Sequence, residues 1–217
     1  MNAIAVIQAR MASTRFPAKA MALLQGRPML EWVIDAAKRI GVEVIVATTR
    51  DNIDDVIAKL AKKNGVKTYR DSAKSMYDKY LGILSTYDPE YIMRICGDQP
   101  LLDSGLAQVV LSLQPCDYAS MSINGKLGVL TEYGISCEVF SADALRRQTG
   151  VKHLHGEHCT TAFYLYSHTH MRTFDISLPP FRATVDYRED LRRIENAAIR
   201  YGRMPQNCKE AAECLCT

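Results

Sequence analysis

Residues 4–19 read Ile4-Ala5-Val6-Ile7-Gln8-Ala9-Arg10-Met11-Ala12-Ser13-Thr14-Arg15-Phe16-Pro17-Ala18-Lys19. An apolar run without alternation suits a strand buried on both faces, the kind found in parallel sheets. It gives way to a loop carrying Arg10, Arg15 and Lys19 with the hydroxyls of Ser13 and Thr14. After Gln25-Gly26-Arg27-Pro28, a turn with proline near a first helical position, Leu30, Val33, Ile34, Ala37 and Ile40 recur at helical spacing. Trp32 falls on the packing face of that helix or its rim. A second strand is expected over Val42 to Ala47. A helix follows, capped by Asp51 or Asn52, with an apolar face of Ile53, Val56, Ile57 and Leu60 and with Gly65 closing it in the left-handed conformation.

The alternation continues with a strand at Val66 to Tyr69, a helix through Tyr77 to Leu84 and a strand at Tyr91 to Cys96. This β-α-β-α rhythm implies an α/β fold: a mostly parallel sheet covered by helices on both faces, with ligands at the carboxyl ends of the strands. Farther on, the pattern predicts strands near Asp117 to Met121 and Ser136 to Phe140 and an Asn124-Gly125 turn. It also predicts a helix from Asp143, a late strand over Arg182 to Val185, and a charged helix running to Ile199. No repeat or linker divides the chain, so residues 1–217 are read as a single domain.

Composition narrows the function classes. Of 217 residues 47% are apolar, enough for a substantial core, and the formal charge of +3 is too small and too dispersed to imply a nucleic-acid partner. No apolar run approaches the roughly 20 residues of a membrane span, and Met1-Asn2-Ala3-Ile4 lacks a secretory n-region, so a cytoplasmic protein is expected. Seven cysteines, at 96, 116, 137, 159, 208, 214 and 216, include no CxxC pair, which fits reduced thiols rather than disulfides or a zinc ribbon. His153, His155 and His158 cluster without a nearby carboxylate or cysteine at standard zinc spacing, so a structural or substrate-binding role is favoured over a metal site.

Chemistry concentrates in three places. Arginine offers a planar fork and lysine a mobile point charge to phosphate oxygens, so the 10–19 loop is a candidate anion cradle, although charge runs are commonly just solvated. It is not a Walker A loop, because the GxxxxGK[ST] spacing is absent. Asp98, in Arg94-Ile95-Cys96-Gly97-Asp98-Gln99-Pro100-Leu101, and Asp186, in Arg182-Ala183-Thr184-Val185-Asp186, each follow an expected strand. Two carboxylates suffice for magnesium, which fills its other sites with water and phosphate oxygens. The ordinary alternative is a helix cap for Asp186 and a turn residue for Asp98.

Taken together, Gln-Ala-Arg-x-x-Ser-Thr-Arg-x-Pro-x-Lys at 8–19, Arg-Ile-x-Gly-Asp-x-Pro-Leu at 94–101, Glu-Val-Phe-Ser at 138–141, Glu157-His158 and Thr-Val-Asp at 184–186 with Glu189-Asp190-Leu191 resemble the SpsF-type cytidylyltransferases, relatives of the CMP-sialate and CMP-Kdo synthetases. The resemblance implies a nucleotide-diphospho-sugar transferase (Rossmann-like) fold and CTP as the nucleotide. It also implies a small sugar or sugar acid as acceptor, release of pyrophosphate for glycan or surface-polysaccharide precursors, and magnesium (Mg2+) held by Asp98 and Asp186. Phosphate contacts carry over to Arg10, Ser13, Arg15 and Lys19, with Arg10 and Lys19 catalytic beside the two aspartates, while Gln8 and Ala9 at the edge of the first strand join the nucleotide's surroundings. The base and ribose fall near Thr48, Arg70 and Asp78, and the acceptor near Glu138, Glu157 and His158. Position 12 is alanine where such sequences frequently carry glycine. A homodimer is compatible with the resemblance. The competing readings are transfer of another nucleotide, a phosphonate or polyol phosphate acceptor, and a nucleotide-binding module without catalysis.

Overall fold

The computed structural model describes residues 1–72, 76–147 and 170–216. Its main strands are β1 (Ala3–Gln8), β4 (Glu43–Thr49), β5 (Lys67–Asp71), β6 (Tyr91–Cys96), β7 (Tyr118–Ile123), β9 (Glu138–Ser141) and β10 (Met171–Ile176). Two-residue strands β2 (Leu23–Leu24) and β3 (Arg27–Pro28) form a small hairpin, and β8 (Lys126–Leu127) pairs with β7. The large sheet runs β10-β7-β9-β6-β1-β4-β5. Its β6-β1-β4-β5 portion is parallel throughout, while β9 lies antiparallel between β6 and β7. The sheet is thus mostly parallel, as the sequence rhythm implies, with one reversed strand near its middle.

The uninterrupted apolar character of β1 has a direct structural cause. Ala3, Ala5 and Ile7 point into one core while Ile4 and Val6 point into another, and β4 divides in the same way, Val44 and Val46 against Ile45 and Ala47. The larger core packs under α1 (Met29–Lys38), α2 (Asp55–Lys63), α4 (Ser104–Ser112), α6 (Arg188–Tyr201) and α7 (Cys208–Leu215). The smaller one packs under α3 (Met76–Tyr87) and α5 (Ala142–Arg147). Each fully buried valine or isoleucine contributes about 1.5–3 kcal/mol of transfer free energy, so the central strands are stabilised from both faces. All five residues of the expected α1 face, Leu30, Val33, Ile34, Ala37 and Ile40, are buried. Trp32 sits at the rim, its Nε1 donating to the Leu24 carbonyl at 2.9 Å under the Arg27 guanidinium.

Three local expectations fail, the first being the cap: α2 begins at Asp55 and neither Asp51 nor Asn52 caps it. The apolar face before β5 is Ile57, Leu60 and Ala61, whereas Ile53 is 58% and Val56 39% exposed. The chain enters this helix through a 3-10 turn at Asn52–Asp54, whose three-residue period throws Ile53 out of phase with the α-helix that follows. Arg182 to Val185 is extended but forms no strand: Ala183 and Thr184 donate to the Glu132 carbonyl and Val185 donates to that of Asp98, so its amides serve loops and not a ladder. The Asn124-Gly125 turn is present, with both residues at positive φ (51° and 78°), and Gly65 at 69° ends α2. The six described cysteines are free thiols.

Candidate active site

The cation-rich loop leaves the carboxyl end of β1 and closes on itself. The Met11 carbonyl accepts from Ser13 and Ala18 amides, each at 2.9 Å, while the Met11 amide donates to Asp54 Oδ1 at 2.7 Å. Asp54 is 1% exposed, and its other oxygen accepts from the amide and hydroxyl of Thr49. A buried carboxylate that gathers donors from two loops fixes both, so the backbone of residues 11–18 is held before any ligand arrives. Phe16 anchors the loop in the core. Ala18, at φ 61°, carries its left-handed residue, at a cost of about 1–2 kcal/mol. Ala12 is not at positive φ, so the alanine there meets no steric penalty.

The carboxyl end of β6 approaches that loop closely. Gly97 donates its amide to the Gln8 carbonyl at 2.9 Å, and a Cβ at Gly97 would lie 2.5 Å from the same oxygen. Only glycine permits this approach, which brings Asp98 over the loop. On the far side, Gly134 at φ 67° lies under residues 183–184, where a Cβ would fall 2.4 Å from the Thr184 amide nitrogen. That contact seats the extended segment leading to Asp186.

The two aspartates meet at Lys19. Its Nζ lies 2.8 Å from Asp98 Oδ2, 2.8 Å from the Val185 carbonyl and 3.5 Å from Asp186 Oδ1. Arg15 Nη2 reaches Asp186 Oδ1 at 2.5 Å, and Arg182 Nη2 reaches Asp186 Oδ2 at 3.2 Å. Two carboxylates and a carbonyl therefore surround one cation, a set of hard oxygens of the kind that suits magnesium. Among the described residues no group of three or more histidine, cysteine or acidic side chains gathers at one point.

The helix cap, the ordinary alternative for Asp186, belongs to Asp190 instead. Asp190 Oδ2 accepts from the amides of Asp186 and Tyr187, both at 2.9 Å, and Arg182 and Arg193 contact its other oxygen. Burial opposes ionisation of Asp190, but those amides and the guanidinium groups outweigh it and hold its carboxyl below the usual range. With the helix end satisfied, the Asp186 carboxylate is available to the basic loop.

The remaining sequence candidates have varied placements. Arg10 is exposed at the loop's start, and Ser13 is half-buried within it. Thr48, next to last in β4, is fully buried, its Oγ1 without a hydrogen-bond partner among the described residues. Gln99 Oε1, beside Asp98, is likewise buried and unpartnered. Arg70 is engaged by protein, donating to Asp55 Oδ1 at 2.7 Å and to the carbonyls of Thr49 and Asp51. Asp78 lies in the first turn of α3. Glu138 is fully buried, bonded to Arg94 Nη1 at 2.7 Å and to the Tyr118 hydroxyl at 2.8 Å. Glu157 and His158, with His153 and His155, lie outside the described residues. Sequence reasoning passed over Asp54, Arg182 and Asp190 as site residues. Asp54 stood in an acidic stretch read only for a cap, and Arg182 and Asp190 stood in quoted motifs without a role.

Comparison with known proteins agrees with this geometry. Residues 4–213 match the family model described as cytidylyltransferase. The chain is 25% identical to the spore coat polysaccharide biosynthesis protein SpsF of Bacillus subtilis, over 92% of this chain and 88% of that one. It is 36% identical to a 3-deoxy-manno-octulosonate cytidylyltransferase of Acaryochloris marina, but over only 47% of this chain and 42% of the relative. A solved cytidylyltransferase from Leptospira borgpetersenii superposes with a TM-score of 0.74 at 27% identity, covering 93% of this chain and 87% of that one. With its sheet, its basic loop and nearly its whole length accounted for, the chain belongs to the cytidylyltransferase family.

Proposed function

We propose that the protein transfers CMP from CTP to a hydroxyl of a small sugar acid, releasing pyrophosphate in a magnesium-dependent reaction that supplies precursors for surface polysaccharide. The observation that carries this reading is the convergence of Lys19, Arg15, Asp98 and Asp186 at the mouth of a preorganised loop. The Bacillus relative supports the polysaccharide setting and the Acaryochloris relative the sugar-acid acceptor. No helix among the described residues is long and apolar enough to cross a membrane, which suits a reaction carried out in the cytoplasm.

Phosphoryl transfer depends on positioning and on neutralising charge at the phosphoryl oxygens and the leaving group. Asp98 and Asp186 would hold magnesium, which when bound supplies a positive centre for phosphate oxygens and favours deprotonation of a coordinated hydroxyl. The chain's own residues do the rest. Lys19 and Arg15 exchange their carboxylate contacts for the β- and γ-phosphates and take up the charge that builds there as pyrophosphate departs. Arg10 and Ser13 extend the cradle along the loop. Asp54 holds the loop amides in place, and Arg182 keeps Asp186 aimed at the reaction centre while its carboxylate changes partners.

The test is a pyrophosphate-release assay with CTP and a panel of sugar acids, sugar phosphates and polyol phosphates, with and without magnesium. Release confined to CTP with a sugar acid and dependent on the metal supports the proposal. Release only with a phosphorylated acceptor would reassign the substrate, and CTP binding with no transfer to any acceptor would favour a binding module.

A further inference from the structure

A chain of buried polar contacts links Gln8 to residues that no catalytic step uses. Arg94 Nε donates to Gln8 Oε1 at 2.9 Å, Arg94 Nη1 donates to Glu138 Oε1 at 2.7 Å, and the Tyr118 hydroxyl donates to Glu138 Oε2 at 2.8 Å. The Arg94 side chain is 12% exposed and that of Glu138 is 0%. A guanidinium only donates, so it dictates which end of the Gln8 amide faces it. The carbonyl oxygen is fixed toward Arg94, and the NH2 group must point the other way. There, among the described residues, it meets only the thioether of Met76, at 3.3 Å, which is a weak acceptor. Gln8 is half-buried, two positions before Arg10, at the carboxyl end of the strand that opens the phosphate loop.

We infer that Gln8 is a base-reading residue, and that Arg94 and Glu138 are positioning residues that lock its amide as a donor toward the nucleobase. The inference rests on the cytidylyl reading and deepens it. A locked polarity matters only against a partner whose own polarity is fixed. Sugar hydroxyls donate and accept, so they would be served equally by either amide orientation, and the acceptor-only oxygens of phosphate or of a sugar acid are separated from the base by the tripolyphosphate and acceptor-KM measurements below. A pyrimidine edge is different: cytosine N3 accepts, whereas uracil N3 carries a hydrogen. A donor held in place pairs with the first and opposes the second, and buried groups left unpaired in this way discriminate strongly. An unanchored amide would rotate and accommodate both bases.

Calorimetric titration of CTP, UTP and inorganic tripolyphosphate into wild-type protein and Gln8→Glu tests the assignment. The glutamate keeps the size and the contact with Arg94 but offers only acceptors. CTP binding should weaken by about tenfold or more, UTP binding should hold or improve, and tripolyphosphate binding should stay within about twofold. Glu138→Gln, which keeps volume but loosens Arg94, should shift the CTP-to-UTP preference in the same direction by a smaller factor. If that variant fails to fold, Gln8→Glu decides alone. Equal weakening of CTP and UTP, or no change in either, would overturn the inference, as would unaltered nucleotide binding with a raised KM for the acceptor. The underlying reading fails with a different signature: wild-type protein that already binds UTP or GTP more tightly than CTP, which removes the cytosine assignment and the role of Gln8 with it.

Discussion

The basic loop, which follows Gln8 in the chain, and the Arg94–Glu138 pair, which contacts its side chain, treat charge in opposite ways. In the loop, Arg15 is 52%, Asp98 24%, Lys19 15% and Asp186 14% exposed, and Arg15 and Lys19 share Asp186. The Asp186 carboxylate is shared among Arg15, Lys19 and Arg182, so losing any one contact there leaves it compensated by the others. Arg94 and Glu138 are sealed off, with every Glu138 oxygen committed to protein. Removing one member of a buried pair leaves the other uncompensated, at a cost of about 3–5 kcal/mol. On the proposed function, one region lets go of its ions when a ligand arrives and the other holds them. The same residue types therefore signal chemistry in the first place and scaffolding in the second.

Substitutions can break this contrast. The largest effect is expected from Glu138→Ala, which should lower unfolding free energy by about 3–5 kcal/mol in denaturant titration. A loss below 1 kcal/mol would show that the pair is not structural. Next, Asp98→Asn and Asp186→Asn should each lower kcat by about a hundredfold or more while stability stays within about 1 kcal/mol, and the double variant should be little worse than either single one, because groups acting as a unit are strongly non-additive. Full additivity in the logarithm of kcat would separate the two aspartates functionally. Lys19→Ala and Arg15→Ala should weaken triphosphate binding by about tenfold each, as loss of a charge-assisted contact worth about 1.5–3 kcal/mol implies. Unchanged binding in both would return the loop to a solvated surface.

The smallest expected effect concerns pH. The Asp190 carboxyl is depressed in the folded state, so the stability it contributes is fully present above the unfolded carboxylate pKa of about 4 and is lost as pH falls through the lower folded value. Asp190→Asn should remove that part of the acid slope below about pH 4 and cost about 1 kcal/mol at neutral pH, read from urea midpoints. An acid limb identical to that of the wild type would place the cap elsewhere.

Much of the fold is written in local pattern. Ile4 to Ile7 and the α1 face are legible because burial repeats at the period of the element that carries it. The edge strand β10 escaped notice because Met171, Arg172 and Thr173 are exposed and Met171–Ile176 shows no apolar run. Ile53 was misassigned because helical spacing cannot reveal a 3-10 entry. Ala183 and Val185 alternate like a strand and are buried like one, yet their amides serve loops. In the site, Asp98 was legible from parallel-sheet logic, which gathers strand ends; Asp186 was reached from a strand that does not form, and loop contacts of residues 183–185 place it instead. Asp54 was not legible, because its partner Met11 lies 43 positions away and an acidic residue near a helix start reads as a cap. Glu138 matched a motif, but its burial follows from strand register with Arg94, which no motif displays.

The central claim is that Lys19 holds in the free protein the place between Asp98 and Asp186 that a divalent ion takes when CTP is bound. Crystals grown with CTP and manganese, measured at an energy where manganese scatters anomalously, test it most directly. The account predicts an anomalous peak within coordinating distance of both carboxylates, with Lys19 displaced onto the phosphates. A peak elsewhere, or CTP bound with Lys19 still between the two aspartates, would contradict it.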